Sequence, residues 1–321
     1  MASRPIGIPW PRIVAARPSR STWITVGLGV LFVVSWSSGF IGAKLGAGQA
    51  PTATVLMWRF VPLAVVLVPL ALRRAGRGLR GHPRAEVRRH VLVGLLSQSG
   101  YLLTVYGAIG LGVSTGTTAL VDGVQPLVAA ALVGPLLGLV VGRRGWAGLA
   151  LGLTGVVLVT WSDATSPAST APFWAYLVPF TGMLGLVAST FLERRSRIRT
   201  PPMTALAIHC STSAVVFTGL ALATGTAVPP SSGDFWLATA WLVLLPTFGG
   251  YGLYWLLVER VGVTSVNGLL FLIAPVTAVW GAAMFGEPLT VVTVAGLGLA
   301  LAAALVVGRE APRGAGSGVQ P

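Results

Sequence analysis

Long apolar runs, separated by short polar segments, make up most of the chain. Each run has close to the roughly 20 residues that an α-helix needs to cross the hydrocarbon core of a bilayer. This pattern predicts an all-α membrane protein with ten transmembrane helices. The predicted spans cover residues 22–42, 53–72, 91–108, 115–138, 146–161, 173–193, 203–224, 235–259, 264–285 and 290–308.

Arginine residues occupy alternate gaps between these spans. They lie before the first span, after the second, fourth, sixth and eighth, and after the tenth. Because cytoplasmic loops carry the excess of positive charge, we predict that these segments and both chain termini lie in the cytoplasm. The other gaps are predicted to face outside, and they contain Asp163, Asp234, Glu287 and, at a span boundary, Lys44.

Composition limits the expected partners and cofactors. Charged residues make up only 9% of the chain, and no gap is long enough for a soluble domain. The net charge of +14 follows from the arginines that the topology rule explains, so nucleic acid is not a predicted partner. The arginines of residues 73–89 suit contact with anionic lipid instead. A single cysteine, Cys210, excludes a thiolate metal cluster within the chain, and we predict neither a metal site nor a cofactor.

Two halves of the sequence resemble each other. A shift of 150 residues aligns Pro51 with Pro201 and Tyr101 with Tyr251, and it also aligns Gly112-Val113 with Gly262-Val263. The halves, residues 22–161 and 173–308, each hold five spans, so the second is predicted to sit inverted relative to the first. Such inverted repeats build secondary transporters with a binding site near the bilayer midplane.

The tails, residues 1–21 and 309–321, are rich in Pro, Gly and Arg and are predicted to be disordered.

Three strings carry a resemblance to a known family: WSSGFIGAK in the first span, APTATVLMWRF at the second, and VTSVNGLLFLIAPVTAVWGAAMFGEPLTVVTVAGLGLALAAALVV at the end. With them the sequence resembles the EamA-type members of the drug/metabolite transporter superfamily over nearly its whole length. The resemblance implies ten helices in two five-helix repeats and export of a small solute. The first half departs from the family pattern, because GLVVGRRGW stands where a Gly-Glu pair usually follows the fourth span.

Three ionisable residues stand out inside the predicted spans, away from their ends, where charge is costly and usually functional: Arg59, Asp122 and His209. Arg59 and Asp122 are predicted at a similar depth, so they can form a static ion pair, line a wet cavity, or couple proton uptake to transport through Asp122. His209 falls opposite Arg59 under the repeat shift, near the cytoplasmic side, with Gln98 and Asn267 at similar depth. A histidine can carry protons near neutral pH, although an interior hydrogen-bonded role also fits.

Further residues could shape a cavity. Pro126 and Pro275 lie near the middle of spans four and nine, where a proline kinks the helix, and they are predicted hinges. Aromatic and hydroxyl side chains could bind flat or cationic solutes or form part of an interfacial belt. These side chains are Trp36, Ser38, Tyr101, Tyr251 and Tyr254.

Two other features have simple interpretations. Glu193 ends the sixth span beside Arg194 and is predicted to form a solvated ion pair. The series Gly148, Gly152 and Gly155 permits close helix contact, either inside the protein or in a homodimer.

We predict a secondary active transporter of the cytoplasmic (inner) membrane that exports a small organic solute by alternating access, coupled to a proton or solute gradient. No G-x-x-x-x-G-K-[ST] string is present, which argues against ATP-driven transport.

The alternatives are an intramembrane hydrolytic or lipid-modifying enzyme and a lipid-binding protein without a transport cycle. An enzyme needs a nucleophile facing a base, and only three histidines are present, two of them in the Arg-rich segment. Amino acids, other metabolites, purine derivatives and cationic drugs all fit the predicted cavity.

Overall fold

The computed structural model describes residues 20–75, 84–137, 142–194 and 200–308, and within these ranges the chain contains no β-strand. The helices of the first half are α1 (Arg20–Ala47), α2 (Thr52–Ala75), α3 (Arg84–Gly94), α4 (Tyr101–Gly110), α5 (Thr115–Gly123), α6 (Gln125–Leu137) and α7 (Arg143–Ala164). Those of the second half are α8 (Val178–Arg194), α9 (Pro202–Ala223), α10 (Gly233–Leu242), α11 (Gly252–Leu270), α12 (Ile273–Phe285) and α13 (Val291–Gly308). Short π-helical segments, Leu95–Gly100 and Val243–Tyr251, join α3 to α4 and α10 to α11, and a 3₁₀ turn, Phe173–Leu177, precedes α8.

Eight helical stretches of the described residues are long and apolar enough to cross a membrane, and Val291–Val306 is a shorter apolar helix. The eight stretches are Trp23–Ala47, Thr52–Arg73, Arg84–Gly110, Gly145–Ala164, Phe173–Glu193, Pro202–Ala223, Gly233–Gly262 and Ser265–Phe285. The predicted fourth span is absent from this set because it consists of two short helices, α5 and α6, interrupted at Val124. The all-α class is therefore confirmed, while the number of ten membrane helices stays a prediction.

Two helix boundaries differ from the predicted ones. Helix α1 begins at Arg20, so the last residues of the predicted N-terminal tail are helical; the rest of that tail and residues 309–321 lie outside the described residues. Helix α3 begins at Arg84, well before the predicted start at residue 91. His90, predicted to lie in the Arg-rich segment between spans, is instead a buried residue of α3. Residues 76–83 of the Arg-rich segment, 138–141 of the departing string, and 195–199 also lie outside the described ranges.

Helix packing has the symmetry that the repeat predicts. Helices α2 and α9 pack together, as do α7 and α13, and each pair joins equivalent helices of the two halves. Helix α5 of the predicted fourth span packs against α12 of the predicted ninth span. Helix α1 packs against α10 and α11, while α4 packs against α8, which is the same contact with the halves exchanged. These contacts recur when the halves are exchanged, as a pseudo-twofold relation requires.

Two aligned glycines mark the same turning point in each half. Gly112 follows α4 with a φ of 103°, and Gly262 interrupts α11 with a φ of 80°. L-residues other than glycine rarely adopt a positive φ, which explains why glycine occurs at both positions of the 150-residue shift.

Apolar side chains cover the outside as well as the interior. Phe32, Phe60 and Phe217 are fully buried, whereas Val65 and Val215, which are equivalent positions on α2 and α9, are exposed. A helix surface that is apolar on its exposed side suits contact with lipid rather than water. The described helices therefore present the exterior that a multi-pass membrane protein needs.

Small residues bring α7 and α13 into backbone contact. A Cβ atom at Gly155 would lie 2.5 Å from the carbonyl oxygen of Gly296, and one at Gly152 would meet Leu127 and approach Ala303. Both glycines therefore serve packing inside the protein, the first of their two predicted roles. The homodimer stays a prediction.

We expect Gly155→Ala to lower the free energy of unfolding by about 1–3 kcal/mol, because the new methyl group must push α13 away. Gly298→Ala is the matched control, since a Cβ at Gly298 on the same helix pair meets nothing within 4 Å. Thermal unfolding of the detergent-solubilised protein, monitored by size-exclusion chromatography, gives the melting temperature of each variant. Equal melting temperatures for the two variants would contradict the close contact.

Candidate functional site

A cavity of about 710 Å³ lies between the two halves, within the range of about 300–1,000 Å³ that is usual for small-molecule sites. Helices of both halves and both π-helical segments contribute to its wall. Most of the residues predicted to line a site do line it: Trp36, Arg59, Gln98, Tyr101, Asp122, Pro126, Tyr251, Tyr254 and Asn267. The other three, Ser38, His209 and Pro275, do not belong to the wall.

Asp122 provides the carboxylate of the cavity. It lies in the last turn of α5, two residues before the break at Val124, and its carboxylate interacts with the hydroxyl group of Tyr101. A negative charge at a helix C-terminus faces the negative end of the helix dipole, so the dipole does not stabilise it. The carboxylate is thus held in the wall without strong compensation.

Arg59 provides the opposite charge. Its side chain is buried and donates hydrogen bonds to the hydroxyl group of Tyr106 and, at 3.2 Å, to Thr247 Oγ1. The guanidinium also lies over the ring of Phe60, 5.1 Å from its centre, and its Nε atom has no hydrogen-bond partner. Both hydrogen-bond partners are neutral hydroxyl groups.

The static ion pair between Arg59 and Asp122 that the sequence allowed is not formed. Ion pairs of the described residues join Lys44 to Glu287, and join Glu86 to Arg89 and His90. The hydroxyl groups of Tyr101 and Tyr106 are nearer partners than the opposite charge, because α4 lies between them and supplies both phenols. The cavity wall therefore holds a carboxylate and a guanidinium that are not neutralised by each other.

Aromatic rings form one side of the cavity. The Trp36 ring centre lies 5.5 Å from that of Tyr251 and 6.4 Å from that of Tyr254, in tilted contacts. Phe32 packs against the Trp36 ring in an edge-to-face contact, with 5.5 Å between the ring centres. This cluster offers a rigid apolar surface beside the two charges.

The two π-helical segments occupy equivalent positions of the two halves and lead into Tyr101 and Tyr251. In the first segment Gln98 Oε1 accepts a hydrogen bond from Ser213 at 3.2 Å, and Gln98 Nε2 approaches the sulfur of Cys210 at 3.9 Å. Segments of π-helix are frequent at functional sites. Here Tyr101 directly follows the first segment, Tyr251 ends the second, and both line the cavity.

Helix breaks precede both predicted hinge prolines. Pro126 is the second residue of α6, directly after the break at Val124, and Pro275 is the third residue of α12, after the break at Phe271 and Leu272. Pro126 lines the cavity and Pro275 does not. Discontinuous helices at equivalent positions are typical of transporter binding sites.

Ser38 and His209 serve other contacts. The Ser38 hydroxyl donates to the Ser35 carbonyl at 2.6 Å, and the Ser38 carbonyl accepts a hydrogen bond from Trp241 at 2.9 Å. His209 lies outside the cavity wall, with its Nε2 atom 3.4 Å from His90 Nδ1.

Two carboxylates hold the start of α5, at the end of the protein that is predicted to face outside. Glu287 accepts hydrogen bonds from the backbone and side chain of Thr115, at 3.0 and 2.7 Å, and pairs with Lys44 at 3.2 Å. Asp163 accepts from the backbone of Ser114 at 3.1 Å and from Thr117 at 2.8 Å. Both therefore cap the N-terminus of α5, where the helix dipole favours negative charge. They join α1, α5 and α7 to the segment that follows α12.

Sequence reasoning missed Tyr106, Thr247 and the capping role of Glu287. Tyr106 lies on the same helix as Tyr101, so counting its depth in the membrane could have indicated a contact with Arg59. No sequence pattern indicated that Glu287 would reach α5 across 172 positions.

Comparison with known proteins settles the family. The chain matches the EamA-like transporter family twice, at residues 23–161 and 173–309. It belongs to this family. The protein is therefore a multi-pass membrane transporter, and family membership favours this class over the enzyme and lipid-binding alternatives.

Curated relatives of the EamA-like chain also have transporter names. A protein of Streptantibioticus cattleyicolor named "Probable terminal-alkyne amino-acid exporter" is 25% identical over 299 residues, covering 91% of this chain and 94% of the relative. The "Uncharacterized inner membrane transporter YedA" of Escherichia coli K12 is 26% identical over 290 residues, with coverage of 87% and 89%. A protein crystal structure at 21% identity has a TM-score of 0.60 and covers 90% of this chain and 97% of that chain, which supports the fold.

Proposed function

We propose that this EamA-like protein exports zwitterionic, amino-acid-like solutes across the cytoplasmic membrane by alternating access, in exchange for protons that bind Asp122. The observation that carries the proposal is the cavity that holds Asp122 and Arg59 without an ion pair between them. The names of the two relatives, an amino-acid exporter and an inner membrane transporter, support the solute class, the direction and the membrane.

Electrostatics favours a zwitterion over a singly charged solute. A charge removed from water is costly unless an opposite charge compensates it, and Arg59 is buried with neutral partners only. A solute carboxylate can accept hydrogen bonds from the guanidinium, which presents donors in a fixed fork. A solute ammonium can pair with Asp122, and its side chain can lie against Trp36.

The direction of coupling follows from the proton gradient. Protons flow into bacterial cells, so uphill export that uses this gradient must be an antiport. One carboxylate suffices for antiport if a proton and a solute ammonium compete for it. Asp122 is suited to this competition because it lines the cavity beside the neutral hydroxyl of Tyr101.

We infer that this conformation corresponds to an inward-facing state. The cavity wall extends from Trp36 to Glu193, an exposed residue at the end predicted to face the cytoplasm. At the opposite end the Glu287 and Asp163 contacts hold α5 closed against its neighbours. Alternating access would require those contacts to break while the Glu193 end closes.

We expect Glu287→Gln to shift the protein toward the outward-open state by about tenfold, because charge-assisted hydrogen bonds are worth about 1.5–3 kcal/mol. The readout is labelling of Ala119→Cys, a cavity position, by a membrane-impermeant maleimide on intact cells in a Cys210→Ala background. Asp234→Asn removes another carboxylate at the predicted outer end, where the side chain is exposed, and serves as the control. Unchanged labelling in Glu287→Gln would contradict the closing role.

Matched solutes test the proposed function. Purified protein in liposomes is loaded with an unlabelled amino acid, and exchange is measured with the labelled amino acid, its decarboxylated amine and its deaminated acid. We expect exchange of the zwitterion to exceed that of both analogues by about tenfold or more, since each lacks one charged contact. Equal rates for the amine and the zwitterion would exclude a carboxylate-binding role for the cavity.

A further inference from the structure

Two histidines and a glutamate converge at the predicted cytoplasmic end, beside the cavity. His90 comes from α3, Glu193 from the end of α8, and His209 from α9. One ligand atom from each of the three side chains lies within 4.8 Å of the other two. These residues are far apart in the sequence, so the fold alone brings them together.

The distance between the two imidazole rings suits a shared metal ion. His90 Nδ1 lies 3.4 Å from His209 Nε2. Two nitrogen ligands of a tetrahedral zinc ion, each about 2.0–2.1 Å from the metal, are separated by about 3.3–3.4 Å. A direct nitrogen to nitrogen hydrogen bond would be long at this distance.

Neighbouring groups orient His90 for metal binding. When Nδ1 binds a metal ion, Nε2 carries the proton, and Thr200 Oγ1 at 2.8 Å and the Glu86 carboxylate at 3.4 Å can accept it. The Arg89 guanidinium, 3.1 Å from Nε2, would then donate to Glu86 alone. The lone pair of Nδ1 would then point toward His209. Metal-binding histidines typically donate their other N–H group to a carboxylate or a similar acceptor in this way.

The charges around the three side chains and their exposure to solvent also suit a bound cation. Among the described residues Arg89 contacts the cluster, and its guanidinium is paired with Glu86, which offsets its positive charge. Glu193 is exposed and His209 partly exposed, so an ion can reach the cluster from the surface. At Gly94 on α3 a Cβ would lie 3.1 Å from the His209 Cα, which shows how closely α3 and α9 approach at this point.

We propose that His90, His209 and Glu193 form a binding site for a divalent transition-metal ion of the zinc type. Two imidazoles and one carboxylate are a common ligand set for such an ion, with a fourth position left for water. A bound ion would tie α3, α8 and α9 together. It would also draw the Glu193 carboxylate away from the cavity, whose wall includes that residue.

Metal binding to the full-length, detergent-purified protein tests this proposal. The affinity tag must contain no histidine, and the protein is first treated with a chelator. Zinc is titrated in competition with a chromophoric chelator, and cobalt is added separately because tetrahedral cobalt has characteristic visible absorption. We expect one zinc ion per chain, tetrahedral cobalt bands, and a melting temperature that rises with zinc.

Variants connect the binding to the three residues. His90→Ala, His209→Ala and Glu193→Gln are each expected to weaken zinc binding by about 100-fold or more, and Glu86→Gln by about 10–100-fold through the orientation of His90. His209→Gln keeps the side chain polar and of similar size, and it should show the same loss if the alanine variant fails to fold. His82→Ala, which replaces the remaining histidine, is the control and should bind as the wild type does.

Two results would overturn the proposal. One is a wild-type protein that binds zinc no more tightly than the His90→Ala/His209→Ala double variant does. The other is a tight ion that is lost in His82→Ala and retained in both His209 variants. The test does not depend on transport, so failure of the metal site and failure of the exporter proposal can be told apart.

Discussion

Solute-driven proton movement is expected to disappear in Asp122→Asn. Asparagine has nearly the size of aspartate, but it cannot take up a proton or pair with an ammonium group. Net transport should fall by about 100-fold, the consequence of losing a buried charged contact worth roughly 3 kcal/mol. Liposomes that contain a pH-sensitive dye, together with labelled solute outside, measure both fluxes in the same preparation.

The control for Asp122→Asn is Asp234→Asn, an exposed carboxylate outside the cavity, which should leave both fluxes unchanged. An Asp122→Asn protein that moves protons and solute in the wild-type ratio would reduce Asp122 to a structural residue. Asp122→Glu should keep part of the coupling, because the charge remains while its position shifts by one methylene group.

Replacing Arg59 with glutamine is expected to abolish the preference for a zwitterion over its decarboxylated amine. The guanidinium has no acidic partner in the described part of the chain, so the solute carboxylate is the group that loses a charge-assisted contact. Such a loss corresponds to a rise of about 30-fold or more in KM for the zwitterion. The amine should be transported at a similar rate by both proteins.

Arg59→Lys distinguishes charge from geometry. Lysine keeps the positive charge but not the planar pair of donors, so it should restore only part of the preference. Arg143→Gln removes an exposed arginine at the start of α7 and is the control for a change in net charge. An unchanged preference in Arg59→Gln would show that the carboxylate binds elsewhere.

Hydropathy and arginine spacing predicted the helical class and the approximate spans. The repeat alignment placed Gly112 opposite Gly262, and the structure shows a positive φ at both. Depth counting brought Arg59 and Asp122 to one cavity. These features depend on position along a helix, which the sequence contains directly.

The rotation of each helix about its axis could not be predicted in the same way. Arg59 contacts Tyr106 and Thr247 instead of Asp122 because of the way α2 and α4 pack. The early start of α3 moved His90 from a loop to the contact with His209. Both results depend on side chains from separate helices, and hydropathy alone does not determine how those helices face each other.

Accumulation driven by a pH gradient tests the proposed antiport most directly. A gradient is imposed across liposomes that contain the purified protein, with equal concentrations of a labelled amino acid on both sides. We predict that the amino acid accumulates on the acidic side as protons leave it, and that Asp122→Asn liposomes show no accumulation. Amino acid that stays at equal concentration in wild-type liposomes, while still exchanging across the membrane, would contradict proton-coupled export.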